Sequence, residues 1–305
     1  MAVHGNKWKL FILIGLFLQQ TVSAQELEPR QLTNLPRGMY FAVAGYGYGA
    51  GNILLDQAIQ IDDFKGRLHT FIFGYATSLN LFGKSGKLDI ILPVGTGDWK
   101  YSLDGIELTD KANGLGDMRI RFTVNFLGAP SLSLSKFKDY KQKTVMGYSL
   151  QVFIPIGQYN SNQLPNLGSN RWCFRNSLGI SHTFGNWVFE VYASVWLFTK
   201  NNRYLGDNTM EQEPLFGFKA HFARNFNNGM WLALNTGYGY GARVIVNGDP
   251  RDVETSALRF GLTYTIPIAK QHSLKLTGVT GVRLKQGGDF DAVSLSYQYR
   301  WTEKR

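Results

Sequence analysis

The stretch Asp117–Phe126, DMRIRFTVNF, changes character at every residue. Met118, Ile120, Phe122, Val124 and Phe126 fall on one side. Asp117, Arg119, Arg121, Thr123 and Asn125 fall on the other. Successive side chains of a β-strand point to opposite faces, so this pattern is a strand with one oily and one wet face. Its length also suits a tilted strand crossing the hydrocarbon core of a membrane, about 9–11 residues. The same period returns downstream. Leu258, Phe260, Leu262, Tyr264 and Ile266 alternate with Arg259, Gly261, Thr263 and Thr265. Val293, Leu295, Tyr297, Tyr299 and Trp301 alternate with Ser294, Ser296, Gln298 and Arg300. The aromatic residues close that last strand, where a membrane–water interface favours them.

Outward from these segments, period two places strands near 39–49, 67–78, 87–95, 115–126, 143–155, 172–183, 187–199, 214–225, 229–244, 256–268, 272–284 and 289–301. About twelve strands is an even count, as single-chain bacterial barrels require. Short connections are expected at Gly83–Gly86, Phe184–Asn186, Asn225–Gly229 and Ala269–His272. Long ones, rich in Asn, Asp and Gly, are expected at 50–66, 96–114, 156–171, 200–213 and 245–255. Long and short alternate as outer loops and periplasmic turns do. The stretch Gly128–Gln142 is long where a turn belongs, and Gln286–Asp289 is short where a loop belongs. The pattern predicts an all-β protein, a transmembrane antiparallel β-barrel with both termini periplasmic. A soluble β-sandwich also alternates, but it explains neither the aromatic strand ends nor the alternating loop lengths.

Composition agrees. Aromatic residues make up 14 % of the 305-residue chain, charged residues only 18 %, and there are 34 glycines. Lys7 and Lys9, the apolar run Leu10–Leu18 and the small residues Val22-Ser23-Ala24 follow the order of a cleaved secretory signal. The apolar run is far shorter than the roughly 20 residues of a transmembrane helix. The expected organisation is a signal peptide at 1–24 with cleavage near Ala24, a periplasmic N-terminal segment at 25–38, and an outer-membrane barrel at 39–305. The net charge of +10 is dispersed, with no dense Lys/Arg run, so nucleic acid is not an expected partner. Outer-membrane lipid, lipopolysaccharide and small solutes are, together with the barrel-assembly machinery during biogenesis. The lone Cys173 excludes an internal disulfide.

Five strings carry a family resemblance: NLPRGMYFAVAGYGYGAG (34–51), GLGDMRIRFTVNFLGAPSLS (114–133), SLQVFIPIGQYNSNQLPNLGSNRWCF (149–174), EVYASVWLFT (190–199) and EQEPLFGFKAHF (211–222). The chain resembles the family described as Putative MetA-pathway of phenol degradation, from about Asn34 to Trp301. That resemblance implies an outer-membrane barrel, transporter-like, concerned with uptake of aromatic or hydrophobic compounds. It supplies no catalytic residue.

The inward faces are the candidate site. Arg119, Arg121, Lys219, Arg243, Arg259, Lys275, Arg283 and Arg300 fall there, against the carboxylates Asp89, Asp117 and Glu190. Excess positive charge in a lumen favours anions. The strand 187–199 turns Glu190, Tyr192, Ser194, Trp196 and Phe198 inward, with Lys219 and His221 on the next strand. Aromatic rings beside cations can stack an anionic aromatic solute. The lumen-contact set is therefore Arg119, Arg121, Glu190, Tyr192, Trp196, Lys219, His221 and Arg259. Gly237, Gly239 and Gly241 leave room on that side or mark a bend. Inward Thr123 and Thr263 are expected to accept a larger side chain.

The favoured function is an uptake channel for small aromatic or amphipathic, anionic molecules. The alternative is a structural or surface-interaction barrel with a closed lumen. An outer-membrane lipase is disfavoured, because Ser181-His182 and His272-Ser273 are sequence neighbours and point to opposite faces of their strands. No cofactor or metal is expected; Asp62-Asp63 and Asp289 with Asp291 read as solvated turn carboxylates.

The loop alternation places 160–168 and 203–210 at the cell surface and 128–142 in the periplasm. In a Cys173→Ser background, Leu205→Cys is expected to label in intact cells and Ser135→Cys to stay unlabelled. The reverse result inverts the topology.

Overall fold

The computed structural model describes residues 27–52, 65–103, 106–163, 165–251, 254–283 and 289–303. The signal-like segment, Asp62-Asp63 and most of the connection before Asp289 lie outside them. In chain order the elements are β1 (Met39–Asn52), β2 (Lys65–Leu81), β3 (Lys84–Leu103), β4 (Ile106–Leu115), β5 (Met118–Leu127), α1 (Leu134–Phe137), β6 (Thr144–Ile154), β7 (Cys173–Phe184), β8 (Trp187–Phe198), β9 (Asn201–Tyr204), β10 (Asn208–Gln212), β11 (Leu215–Asn225), β12 (Trp231–Gly241), β13 (Val244–Val246), β14 (Asp249–Pro250), β15 (Thr255–Ala269), β16 (His272–Arg283) and β17 (Asp289–Thr302). Every pairing is antiparallel. β1 joins β17 and β2, while β2 joins β3, so the ring closes and leaves no free edge. Twelve strands form that ring. Closure satisfies each strand's backbone donors and acceptors within the protein, the condition for crossing lipid with strands. No helix among the described residues is long and apolar enough to cross a membrane.

The faces follow the sequence pattern. Phe122, Phe126, Phe189, Leu197, Phe218, Leu234, Phe260, Leu262 and Leu295 stand exposed on the outer surface. Arg121, Thr123, Asn125, Glu190, Lys219 and Arg259 are buried inside. At one end Trp301 stacks on Tyr40 and Tyr299, with ring centroids 5.6 and 5.5 Å apart, and Tyr75 lies near them. Met39 pairs with Thr302 at that same end. The β2–β3 connection there is two residues, Phe82 (φ 49°) and Gly83 (φ 81°), with Asn80 Oδ1 accepting from Gly83 N at 3.0 Å. Both central residues have positive φ, the mirror-image turn whose twist matches a hairpin.

Three expected loops are more ordered than the pattern suggested. The stretch 96–114 was expected to be a loop. Instead β3 runs on to Leu103 and β4 pairs back against it, from Leu103↔Ile106 to Val94↔Leu115. The stretches 200–213 and 245–255 contain β9, β10, β13 and β14, which form a separate four-stranded sheet. Its short strands could not announce themselves by period; they are held by the buried cluster Tyr204, Met210, Val244 and Val246. The long connection between β5 and β6 carries the single helical turn α1.

Arg substituted for Phe122 or Leu262 places a charge on the outer face near mid-strand and is expected to cost about 2–4 kcal/mol of barrel stability. Heat-modifiability on a gel reads this. Thr123 and Thr263 are only 1 % exposed, so the expected tolerance there is corrected: Arg at these positions is also destabilising, through overpacking rather than lipid exposure.

Candidate functional site in the barrel lumen

The lumen is occupied by the chain's own N-terminal segment. Of the segment 25–38 that precedes the barrel, the described residues Leu27–Gly38 meet inward-facing side chains of the ring. Glu28 receives Arg121 Nη1 at 2.6 Å, and Arg121 Nε reaches Asp89 at 3.0 Å. The Arg30 amide donates to Glu190, and its guanidinium donates to Asn225 at 2.7 Å while lying over the Trp231 ring. Gln31 donates to Ser149 at 2.7 Å, and its carbonyl accepts from Lys87 Nζ. Asn125 donates to the Leu32 carbonyl. Asn34 donates its amide to Gln142 and its side chain to the Pro130 carbonyl, and Ser78 donates to the Pro36 carbonyl.

Apolar contacts match these polar ones. Leu32 is 1 % exposed, packed with Ala129, Val145 and Tyr192. Its bed is made by glycine: a Cβ at Gly147 would lie 2.5 Å from a Leu32 methyl. Across the ring, a Cβ at Gly261 would meet Leu27 at 3.2 Å.

The wall behind the segment is the cluster foreseen on β8 and β11. The register sets Glu190 opposite His221 and Tyr192 opposite Lys219. Lys219 Nζ stands 5.2 Å from the Tyr192 ring centre, and the Tyr192 and His221 rings meet edge to face at 5.7 Å. His221 Nδ1 bonds Asn235 at 2.8 Å. Trp196 carries Arg175 over its ring at 4.7 Å. Gly237 pairs with Lys219 on one side and Arg259 on the other, so a missing side chain sits between two long cationic ones. Arg259 lies over Phe290, in a cluster with Leu68, Trp99 and Ala112. Arg119 lies against Phe153, on the β5 and β6 side of the ring.

The candidate residues therefore divide. Glu190, Tyr192, Trp196, Lys219 and His221 make one wall. Arg121 faces it through the N-terminal segment, Arg259 joins the Trp99 cluster, and Arg119 stands apart. Three expected inward charges stand outside the lumen cluster. β12 ends at Gly241 (φ 104°), so Arg243 lies beyond it, exposed. Arg300 keeps the inward side of the pleat but is exposed at the strand end, where it donates to the Lys270 carbonyl and stands away from the lumen cluster. Asp117 accepts from Gly157 N and Ser169 N, binding the 155–172 connection down rather than countering lumen charge. The side chain of Arg283 lies outside the described ones. Lys87 and Arg175 were missed, although the alternation that turns Asp89 and Cys173 inward turns them inward too.

Burial opposes ionisation of Glu28, which lies outside the spanning strands. Arg121, Lys275 and Lys219 outweigh burial and hold its carboxyl well below the usual carboxylate range. Among the described residues no group of three His, Cys, Asp or Glu could hold a metal ion.

With this geometry in place, the comparisons define the class. The model of the family Putative MetA-pathway of phenol degradation matches residues 44–301, and the chain belongs to that family. Among solved structures, an outer membrane channel from Pseudomonas putida F1 is 18 % identical, with a TM-score of 0.75 over 90 % of this chain and 100 % of that one. The β domain of the Bordetella autotransporter BrkA is 12 % identical, with a TM-score of 0.51 over 86 % and 99 %. Both likenesses are of fold, that of outer-membrane barrels. A search of curated proteins finds no match.

A carboxyl with a depressed pKa gives stability that is complete above the detached value, about 4.3, and is lost only as pH falls through the docked value. A nitroxide on Thr33→Cys, in the Cys173→Ser background, is therefore expected to stay equally immobile from pH 8 to pH 5. Adding Glu28→Gln is expected to mobilise it across that range. Loss of order already at pH 5 in the parent contradicts the assignment.

Proposed function

We propose that this protein is an outer-membrane channel for uptake of small aromatic or amphipathic anions, closed at rest by its N-terminal segment. The observation that carries the reading is the excess of cationic side chains on the inner wall. Lys87, Arg119, Arg121, Arg175, Lys219, Arg259 and Lys275 outnumber the inward carboxylates Asp89 and Glu190 even when Glu28 is added. A barrel that only had to be sealed gains nothing from this. Replacing buried ion pairs by apolar groups of similar volume is often neutral or stabilising. Charged walls are retained where an ion passes, and a cationic lumen admits anions. The fold-mate from Pseudomonas putida is described as an outer membrane channel, which supports a channel, and the family description names phenol degradation, which supports an aromatic solute. In this reading Met1–Ala24 is the secretory signal, the aromatic end of the barrel faces the periplasm, and lipid, lipopolysaccharide and the assembly machinery are its partners.

The second reading, a structural barrel with a closed lumen, is favoured by the buried packing of Leu32 and of the Trp99 cluster. Conductance separates the two. A variant lacking 27–37 is expected to carry current in planar bilayers, with a reversal potential on the anion side in a salt gradient. Each cation contributes on the order of 1–4 kcal/mol of attraction, weakened by salt. Lys219→Gln with Arg259→Gln in that background is expected to move the reversal potential toward cations. No current from a deletion variant that is still heat-modifiable, and so folded, overturns the channel reading in favour of the closed barrel.

A further inference from the structure

The segment in the lumen presents two unlike side chains to two unlike parts of the inner wall. Glu28 offers a carboxylate to Arg121 at 2.6 Å, on a guanidinium whose Nε also reaches Asp89 at 3.0 Å, within the field of Lys219 and Lys275. Four residues on, Leu32 offers a compact apolar group to Tyr192, Val145 and Ala129. The parts are continuous, because Tyr192 touches Leu32 and its ring also faces Lys219. The apolar part is shaped rather than accidental. A Cβ at Gly147 would lie 2.5 Å from a Leu32 methyl, while one at Gly179 would first strike the Tyr192 ring that packs on Leu32 and then a Leu32 methyl at 3.2 Å.

We infer that this patch of the inner wall is a binding site for a small carboxylate with a compact apolar body, such as an arylcarboxylate, and that Glu28 and Leu32 occupy it as tethered stand-ins for the two ends of that ligand. The consequence, opening by displacement of the segment, rests on the channel reading above; the binding itself does not. Both occupants bind the same atoms, so ligand and segment exclude each other. A tethered group acts at an effective concentration in the millimolar range. A free ligand therefore competes poorly against the intact segment and well against a weakened one.

The test titrates the full-length protein in detergent with benzoate, acetate and benzyl alcohol, following ligand resonances by saturation transfer. Glu28→Gln is expected to bind benzoate about tenfold more tightly than the parent, because its tethered competitor is weakened. Acetate, which lacks the apolar body, and benzyl alcohol, which lacks the charge, are expected to bind each variant far more weakly. Leu32→Ala, which empties the apolar part and leaves the ion pair, is expected to strengthen benzoate and not acetate. Arg121→Gln is expected to lose the benzoate preference, and Arg121→Lys to restore part of it. Heat-modifiability confirms that each variant compared is folded. Equal benzoate affinity in the parent, Glu28→Gln and Leu32→Ala overturns the inference, as does acetate binding as well as benzoate. Bilayer current from the same preparations keeps the two ideas separate. Tighter benzoate binding without current leaves the site standing and removes the channel. Anion current without the benzoate response leaves the channel and removes the site.

Discussion

Everything in this molecule follows from the backbone closing on itself. In hydrocarbon an unpaired amide or carbonyl costs several kcal/mol, so a sheet can enter lipid only if it has no edge. The pairings of β2 with β3 and of β1 with β17 remove the edge. Once the ring is closed, the pleat decides the rest, sending each side chain either to lipid or to the interior. Phe122 and Arg121 are neighbours in sequence and occupy opposite solvents for that reason alone.

Closure creates a second problem, an interior wider than the wall side chains by themselves can fill. Eight strands are filled by their own side chains, and sixteen enclose water. This ring has twelve and uses a piece of its own chain. The arrangement is costly in a specific way. Arg121, Glu190, Lys219 and Arg259 lie buried, and each needs a partner to offset the loss of water. Glu28 and the amide of Arg30 supply two such partners. The segment and the wall are therefore interdependent: the wall fixes an otherwise ordinary polar peptide, and the peptide satisfies charges that the wall could not leave buried alone. Many of these contacts are polar and directional, whereas the Trp99 cluster at Gly66 and Gly97 is apolar. The contrast marks the segment as the part of the interior whose removal exposes groups that water or a solute can solvate.

Much of the site was legible because the pleat is strict. Alternation alone put Tyr192, Trp196, Lys219 and His221 on one side, and the structure joins them through the β8–β11 register. The same rule turns Arg175 and Lys87 inward. It failed at Arg243, where the positive φ of Gly241 and Ala242 ends β12 before the pattern ends. It failed also at Asp117, whose position on a wet face is real but whose partners are amides of a distant connection. The four-stranded sheet built from β9, β10, β13 and β14 escaped because strands of two to five residues carry too few side chains to show a period.

By itself the sequence determined the class of fold, the faces of nearly every strand and the short turns, since these depend on local geometry with a period of two that the residues repeat openly. The contents of the lumen were decided only by tertiary structure. Nothing in the composition of Leu27–Arg37 distinguishes a peptide trailing in water from one threaded through a ring. The difference lies in contacts such as Arg121 with Glu28 and Gly147 beneath Leu32, which join residues about a hundred positions apart. Those contacts exist only after the strands have closed and brought opposite walls within reach of one short segment.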